Sequence, residues 1–129
     1  DLIRVIDYKT GKDELYFESV SSLFRRDGKR NKAAFQTLLY ALLYQVNARN
    51  AAYKIVPGLI NRMNLFDSEF KFGLKVGKTF VEDVDPLLPE FSTHLKALVE
   101  EIHDPQVPFD QTTDVDLCKF CPYQRICYR

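Results

Sequence analysis

Two side chains near the amino terminus, Asp7 and Lys9, have types and a spacing that suit chemistry on a phosphodiester bond. They lie in Leu2–Lys9, a mostly aliphatic and β-branched run before Gly11, which predicts a β-strand. Because side chains alternate along a strand, Asp7 and Lys9 share one face. The carboxylate can hold a divalent cation, and the lysine can position or deprotonate an attacking water. A surface ion pair at a strand end is the alternative.

A second group of candidate residues lies on a predicted helix. Residues 33–48 contain no charged side chain, and Asn31 precedes them as a plausible N-cap. Gln36 and Tyr40 lie one turn apart on one flank and can hydrogen-bond a phosphate or a base edge, although a core-edge position with satisfied hydrogen bonds is the alternative. The other residues recur at helical spacing, so we expect burial on more than one side. The predicted apolar face comprises Phe35, Leu38, Leu39, Leu42, Leu43 and Val46.

A basic segment precedes this helix and contains five cations within eight residues. The chain has 18 basic and 18 acidic side chains, so any surface that attracts DNA must come from local clustering of this kind. Phosphate contacts are the main source of DNA affinity, and the segment could follow a DNA backbone. A solvated loop before the helix is the alternative. The cations are Arg25, Arg26, Lys29, Arg30 and Lys32.

All three cysteines of the chain, Cys118, Cys121 and Cys127, lie within ten residues near the carboxyl terminus. They follow a proline-containing stretch that we interpret as an extended linker. Two thiolates three residues apart can hold one metal ion or cluster from a single turn. The clustering therefore predicts a metal-type site with converging sulphurs, while the C-x2-C pair alone is equally typical of zinc binding and of redox chemistry.

Three further elements are predicted between the first helix and the cysteines. Residues 53–56 form a strand that Pro57 and Gly58 interrupt. Residues 70–76 alternate apolar and polar side chains and predict a strand with one wet face. A second helix begins with Asp85 as N-cap and Pro86 in its first position. Its predicted core face comprises Leu88, Phe91, Leu95, Leu98 and Ile102.

The chain resembles one family in three motifs that occur in the same order. These are Asp7-Tyr8-Lys9-Thr10-Gly11, then Gln36 and Tyr40, then the spaced cysteines. It is the RecB/AddB-type nuclease domain of the PD-(D/E)XK superfamily, and the resemblance covers nearly the whole chain. It implies that Asp7 binds Mg²⁺ or Mn²⁺, that Lys9 acts on the water, and that Gln36 and Tyr40 contact DNA or the catalytic groups. It also implies that Cys118, Cys121 and Cys127 belong to a 4Fe–4S cluster, and a zinc site stays the alternative. The cluster's fourth cysteine, a second metal-binding aspartate and a histidine would lie upstream.

The resemblance implies an α/β fold with a mixed central sheet flanked by helices, a partial restriction-endonuclease-like core. We expect a core at residues 1–104, lacking its amino-terminal part, and a cysteine-containing tail at residues 105–129. The chain does not begin with methionine, so we expect it to be a fragment. We expect this fragment to be inactive alone, because the single carboxylate of Asp7 holds Mg²⁺ poorly.

The expected function is that of a Mg²⁺-dependent DNA exonuclease or endonuclease in the cytoplasm. We expect DNA and a helicase domain or subunit as partners, a role in DNA repair or recombination, and no membrane. Two alternatives stay open: a non-catalytic DNA-binding or scaffolding module with a nuclease-like fold, and a zinc-stabilised protein-interaction domain.

Overall fold

A computed structural model describes residues 1–48, 53–62 and 65–128. The described residues form a mixed α/β fold with two α-helices and strands in parallel and antiparallel pairs, as predicted, and the tail carries the cysteines. None of the described helices is long and apolar enough to cross a membrane. Arg129, the last residue of the predicted tail, lies outside the described residues. The elements are β1 (Leu2–Lys9), β2 (Tyr16–Phe17), α1 (Lys32–Asn47), β3 (Lys54–Asn61), β4 (Lys75–Val76), β5 (Thr79–Phe80) and α2 (Leu88–His103), with 3₁₀ helices at Ser21–Phe24 and Val115–Cys118.

The sheet that carries the candidate site consists of β1 and β3, which pair in parallel. Helix α1 connects these two strands in the chain and packs against both of them. Because the strands are parallel, their carboxyl ends meet at one edge, where Lys9 lies beside Asn61. This edge is therefore the place where side chains from two strands and one helix can come together.

Strand β3 runs through Pro57 and Gly58 without interruption, so the predicted break at these residues is wrong. Gly58 permits a close approach by the following segment, because a Cβ atom at this position would lie 2.4 Å from a ring carbon of Phe72. The carbonyl of Pro57 accepts a hydrogen bond from the Leu74 amide at 3.3 Å. Pairing on both sides keeps the strand extended where composition indicated a turn.

The strand predicted over residues 70–76 is wrong for most of its length. Only Lys75–Val76 is a strand, and Gly73 forms an isolated antiparallel bridge with Gly58. Strand β4 then pairs in parallel with β2 and antiparallel with β5, as part of a separate three-stranded sheet. The segment thus passes from β3 to β2 within a few residues, and this change of partner prevents a long ladder.

Helix α1 has its predicted N-cap, since the Asn31 side chain accepts a hydrogen bond from the Ala34 amide at 2.9 Å. The predicted apolar face is only partly buried. Leu38 is in the core, but Leu43 and Val46 are 50% and 71% exposed. The second side of the helix is covered near its beginning, where the Phe35 ring packs against α2, and the carboxyl-terminal turns extend past that contact.

Helix α2 begins later than predicted. Its first residue is Leu88, with Pro89 in the first turn, and neither Asp85 nor Pro86 belongs to it. The Asp85 side chain accepts a hydrogen bond from Gln45 Nε2 at 2.7 Å, so it connects to α1 instead of capping α2. The helix buries Leu88 and Phe91 as predicted, while Ile102 is 51% exposed near its end.

Candidate active site

The partly buried face of β1 presents Asp7 and Lys9 next to each other. Lys9 Nζ lies 3.0 Å from Asp7 Oδ2, and the side chains are 24% and 13% exposed, respectively. Ile3 and Val5, at alternate positions before them, pack against the core on the same side. Tyr8 faces the other way and is 73% exposed. The predicted sharing of one strand face is therefore confirmed, and this face is the one that packs toward α1.

Helix α1 places Gln36 directly against Lys9. Lys9 Nζ donates a hydrogen bond to Gln36 Oε1 at 2.5 Å, and Gln36 Nε2 donates to the Tyr40 hydroxyl. The four side chains Asp7, Lys9, Gln36 and Tyr40 thus form one continuous line of contacts, which we call the site line. Lys9 gives one of its three ammonium donors to Gln36 and lies at ion-pair distance from Asp7, so it keeps donors for a ligand. The line reaches the surface at Tyr40, which is 40% exposed.

Asp7 has the chemistry of a ligand for a hard cation. Its Oδ2 atom is buried and has no hydrogen bond within the described part of the chain, because Lys9 lies at ion-pair distance but outside hydrogen-bonding geometry. Mg²⁺ prefers carboxylate oxygens of this kind. Among the described residues, no three His, Cys, Asp or Glu side chains come together as a metal-binding group. Asp7 therefore fits one ligand position of a Mg²⁺ or Mn²⁺ ion.

Comparison with known proteins identifies the family. The profile of the PD-(D/E)XK nuclease superfamily matches residues 1–128. The chain belongs to the PD-(D/E)XK nuclease superfamily. Its members are usually nucleases that generally use Mg²⁺ or Mn²⁺, and the superfamily implies DNA as the substrate. Neither the curated proteins nor the solved structures give a significant match. The superfamily expected from the sequence is confirmed, and the RecB/AddB type stays a prediction.

Two cations of the predicted DNA-binding segment are paired with acidic side chains. Arg25 lies 3.5 Å from Glu18 and 3.3 Å from Asp27. Arg26 forms hydrogen bonds with both carboxylate oxygens of Glu101 and so connects the segment to α2. Part of the positive charge is thus offset within the protein, and Arg26 serves a structural contact in addition to any contact with DNA.

The remaining cations of the segment, Lys29, Arg30 and Lys32, are exposed. Together with Arg25 they line one wall of a cavity of about 510 Å³, whose other wall comprises residues 12–14 and 16–18, which are the loop after β1 and strand β2 with the residue that follows it. We call this cavity the basic groove. The structure therefore brings four of the five predicted DNA-binding cations to one groove, and Arg26 does not line it.

Two asparagines hold the loop wall of the basic groove, and the sequence indicated neither of them for this role. Asn61 donates to the Asp13 carbonyl at 2.6 Å and accepts from the Asp13 amide at 3.4 Å. Asn31, besides capping α1, donates to the carbonyls of Glu14 and Tyr16, at 2.7 Å each. Asn61 could have been found as a polar residue at the end of an apolar strand, while Asn31 showed only its capping role.

The cysteine tail lies in a series of turns. The Cys121 amide donates to the Cys118 carbonyl at 3.0 Å, and the Cys127 amide donates to the Tyr123 carbonyl at 3.2 Å. The three thiols are partly exposed and form no metal-binding group within the described residues, so the expected convergence of the sulphurs is not found. A role in iron–sulphur or zinc binding stays a prediction.

Proposed function

We propose that this chain is a RecB/AddB-type nuclease domain that hydrolyses phosphodiester bonds of DNA with Mg²⁺ or Mn²⁺. It acts as an exonuclease or endonuclease and works with a helicase domain or subunit in DNA repair or recombination. One observation carries the proposal: in a member of a nuclease superfamily, Lys9 is held between a partly buried carboxylate and the Gln36 amide. A solvated surface ion pair, the alternative for Asp7 and Lys9, would not need this third partner.

Each member of the site line has a distinct role in this proposal. Asp7 would hold the cation through Oδ2, and a bound Mg²⁺ would supply positive charge beside the scissile phosphate. Lys9 directs an N–H that Gln36 does not use toward the attacking water or a phosphate oxygen, and its charge stabilises the charge that develops. Gln36 orients Lys9 through its amide oxygen. Tyr40 fixes the amide of Gln36, and its own hydroxyl hydrogen is free to donate to DNA.

The test is digestion of linear DNA with Mg²⁺ by the full-length protein and its Asp7→Ala and Lys9→Ala variants. Both variants should lose cleavage but keep most DNA binding, because the cations of the basic groove remain. Lys96→Ala is the control, since Lys96 lies on α2 with its side chain 78% exposed. An active Asp7→Ala variant would refute the catalytic assignment. A wild-type protein that binds DNA without cleaving it, with Mg²⁺ or Mn²⁺, would favour the non-catalytic DNA-binding module.

The proposal extends to the surroundings of the site. Residues 1–104 are the nuclease core and residues 105–129 the tail, where Cys118, Cys121 and Cys127 bind a 4Fe–4S cluster with a cysteine from elsewhere in the full-length protein. Residues 1–129 alone cleave DNA weakly, because Mg²⁺ gives up its water reluctantly to the single carboxylate of Asp7. A cytoplasmic location belongs to the same proposal.

A further inference from the structure

The carboxyl-terminal tail contacts the basic segment at Gly28. A Cβ atom at Gly28 would lie 2.7 Å from Leu117 Cδ2 and 3.5 Å from a carboxylate oxygen of Asp114. The φ angle of Gly28 is not positive, so a left-handed backbone does not account for the glycine. The missing side chain has a different consequence, which is to let Leu117 approach the backbone of the basic segment.

Leu117 is held in place by the local structure of the tail. It belongs to the 3₁₀ helix Val115–Cys118, and its amide donates a hydrogen bond to the Asp114 carbonyl at 3.3 Å. The Asp114 side chain accepts a second hydrogen bond from the Asp116 amide at 3.2 Å, which caps this helix. Leu117 is 43% exposed and lies outside the hydrophobic core. Its removal should therefore disturb the contact with Gly28 and leave the fold intact.

The contact falls between two fixed points of the basic segment. Arg26 is bonded to Glu101 of α2, and Asn31 is bonded to the loop wall of the basic groove. Residues 27–30 connect these two points, and Leu117 contacts them from the tail. The tail therefore adds a third support in the middle of the basic segment.

This third support lies directly beside two cations of the basic groove. Lys29 and Arg30 follow Gly28 in the chain, and all three residues line the groove. Leu117 does not line it, so its side chain contacts the wall without entering the groove. Ordering a long charged side chain on a phosphate costs conformational entropy, and a backbone that is already in position lowers this cost. The position of Leu117 thus bears on two of the predicted phosphate contacts.

We propose that Leu117 is a positioning residue for DNA binding, which holds Lys29 and Arg30 toward the phosphates by packing on Gly28. The inference rests on the proposed nuclease function, in which the basic groove takes up the DNA, and it gives the tail a part in that step. Leu117 is not a member of the site line, so its loss should change the affinity for DNA and not the reaction. This role belongs to the leucine side chain and is separate from metal binding by the cysteines.

The test is binding of a fluorescein-labelled DNA duplex to the full-length protein in EDTA, measured by anisotropy at several salt concentrations. Leu117→Ala should weaken binding and reduce the slope of log K against log salt by about 0.9 for each phosphate contact that is lost, and by at most about 1.8 for both. Leu117→Met keeps the side-chain volume and should bind like the wild type. In cleavage of the same duplex with Mg²⁺, Leu117→Ala should raise KM and leave kcat unchanged.

A second substitution tests the contact itself. Gly28→Val adds as many carbon atoms as Leu117→Ala removes, and its Cβ points at Leu117, so it should displace the leucine and weaken binding. The double variant should bind more tightly than either single variant, because the valine fills the space that Leu117→Ala leaves. Ile126→Ala is the control, since Ile126 is another branched aliphatic side chain of the tail and is 76% exposed. It should leave the affinity and the salt slope unchanged.

Wild-type binding by Leu117→Ala, an equal loss in Ile126→Ala, or additive losses in the double variant would each overturn the inference. So would a fall in kcat without a rise in KM, or a wild-type protein that does not bind the duplex. If Leu117→Ala does not fold, Gly28→Val decides the question, and wild-type binding by this variant overturns the inference.

The outcomes also separate this inference from the nuclease function. If Leu117→Ala binds normally while Asp7→Ala abolishes cleavage, the inference fails and the nuclease function stands. If Leu117→Ala reduces the salt slope in a protein that cleaves no DNA, the inference is supported and the nuclease function is refuted.

Discussion

Replacement of Gln36 by alanine removes the hydrogen-bond acceptor that holds the Lys9 ammonium, which lies 2.5 Å from Gln36 Oε1. Hydrogen bonds to charged groups contribute about 1.5–3 kcal/mol. If the whole of this contribution positions Lys9 for the reaction, kcat should fall about 10- to 150-fold. Lys9 would keep its ion pair with Asp7 at 3.0 Å, so the loss should be smaller than that of Lys9→Ala.

The assay is steady-state cleavage of linear DNA with Mg²⁺ by the full-length protein, with kcat and KM determined separately. A positioning role for Gln36 lowers kcat and leaves KM unchanged, because Gln36→Ala removes no cation from the basic groove. Gln36→Glu retains an acceptor for Lys9 and should recover kcat relative to Gln36→Ala, while its added negative charge raises KM.

Gln45→Ala is the matched control for this experiment. Gln45 is another glutamine of α1, and its side chain donates one hydrogen bond to Asp85 at 2.7 Å, away from the site line. Its loss should leave both kinetic constants unchanged. Wild-type kcat in Gln36→Ala, or an equal fall in Gln45→Ala, would refute the reasoning. A rise in KM alone would mean that Gln36 contacts DNA directly and does not act through Lys9.

Three further predictions concern stability and the tail. Gly58→Ala should lower the free energy of unfolding by about 1–3 kcal/mol in urea titrations, because its Cβ would lie 2.4 Å from the Phe72 ring. Gly73→Ala should lower the free energy of unfolding by less, because its Cβ would lie 3.3 Å from the Phe80 ring. Equal losses in the two variants would contradict the argument. Asn31→Ala should lower the free energy of unfolding by about 0.5–2 kcal/mol through the lost cap. It should also raise KM, since Asn31 holds the loop wall of the groove. An unchanged KM would show that the loop does not need Asn31. Anaerobic reconstitution of the full-length protein with iron and sulphide should give brown absorbance that Cys118→Ser diminishes, and a protein that takes up only zinc, or no metal, would show the iron–sulphur assignment to be wrong.

Sequence reasoning located the elements whose features are local. The alternation of side chains is a property of any strand, so Asp7 and Lys9 had to share a face once residues 2–9 were extended. The N-cap of α1 was equally predictable, because Asn31 bonds an amide only three residues away. The Gln36 and Tyr40 pair followed from the helical repeat. These predictions needed no knowledge of how the elements pack.

The tertiary structure decided which of these elements meet. Lys9 and Gln36 are 27 residues apart, and only the packing of α1 on the β1–β3 sheet joins them. Packing also left Leu43 exposed where periodicity predicted a core position. The strand predicted over residues 70–76 failed because its partners change from β3 to β2, and alternation in sequence carries no information about partners. The basic groove likewise exists only because long-range hydrogen bonds of Asn61 and Asn31 hold a loop opposite the basic segment, and periodicity cannot reveal contacts of this range.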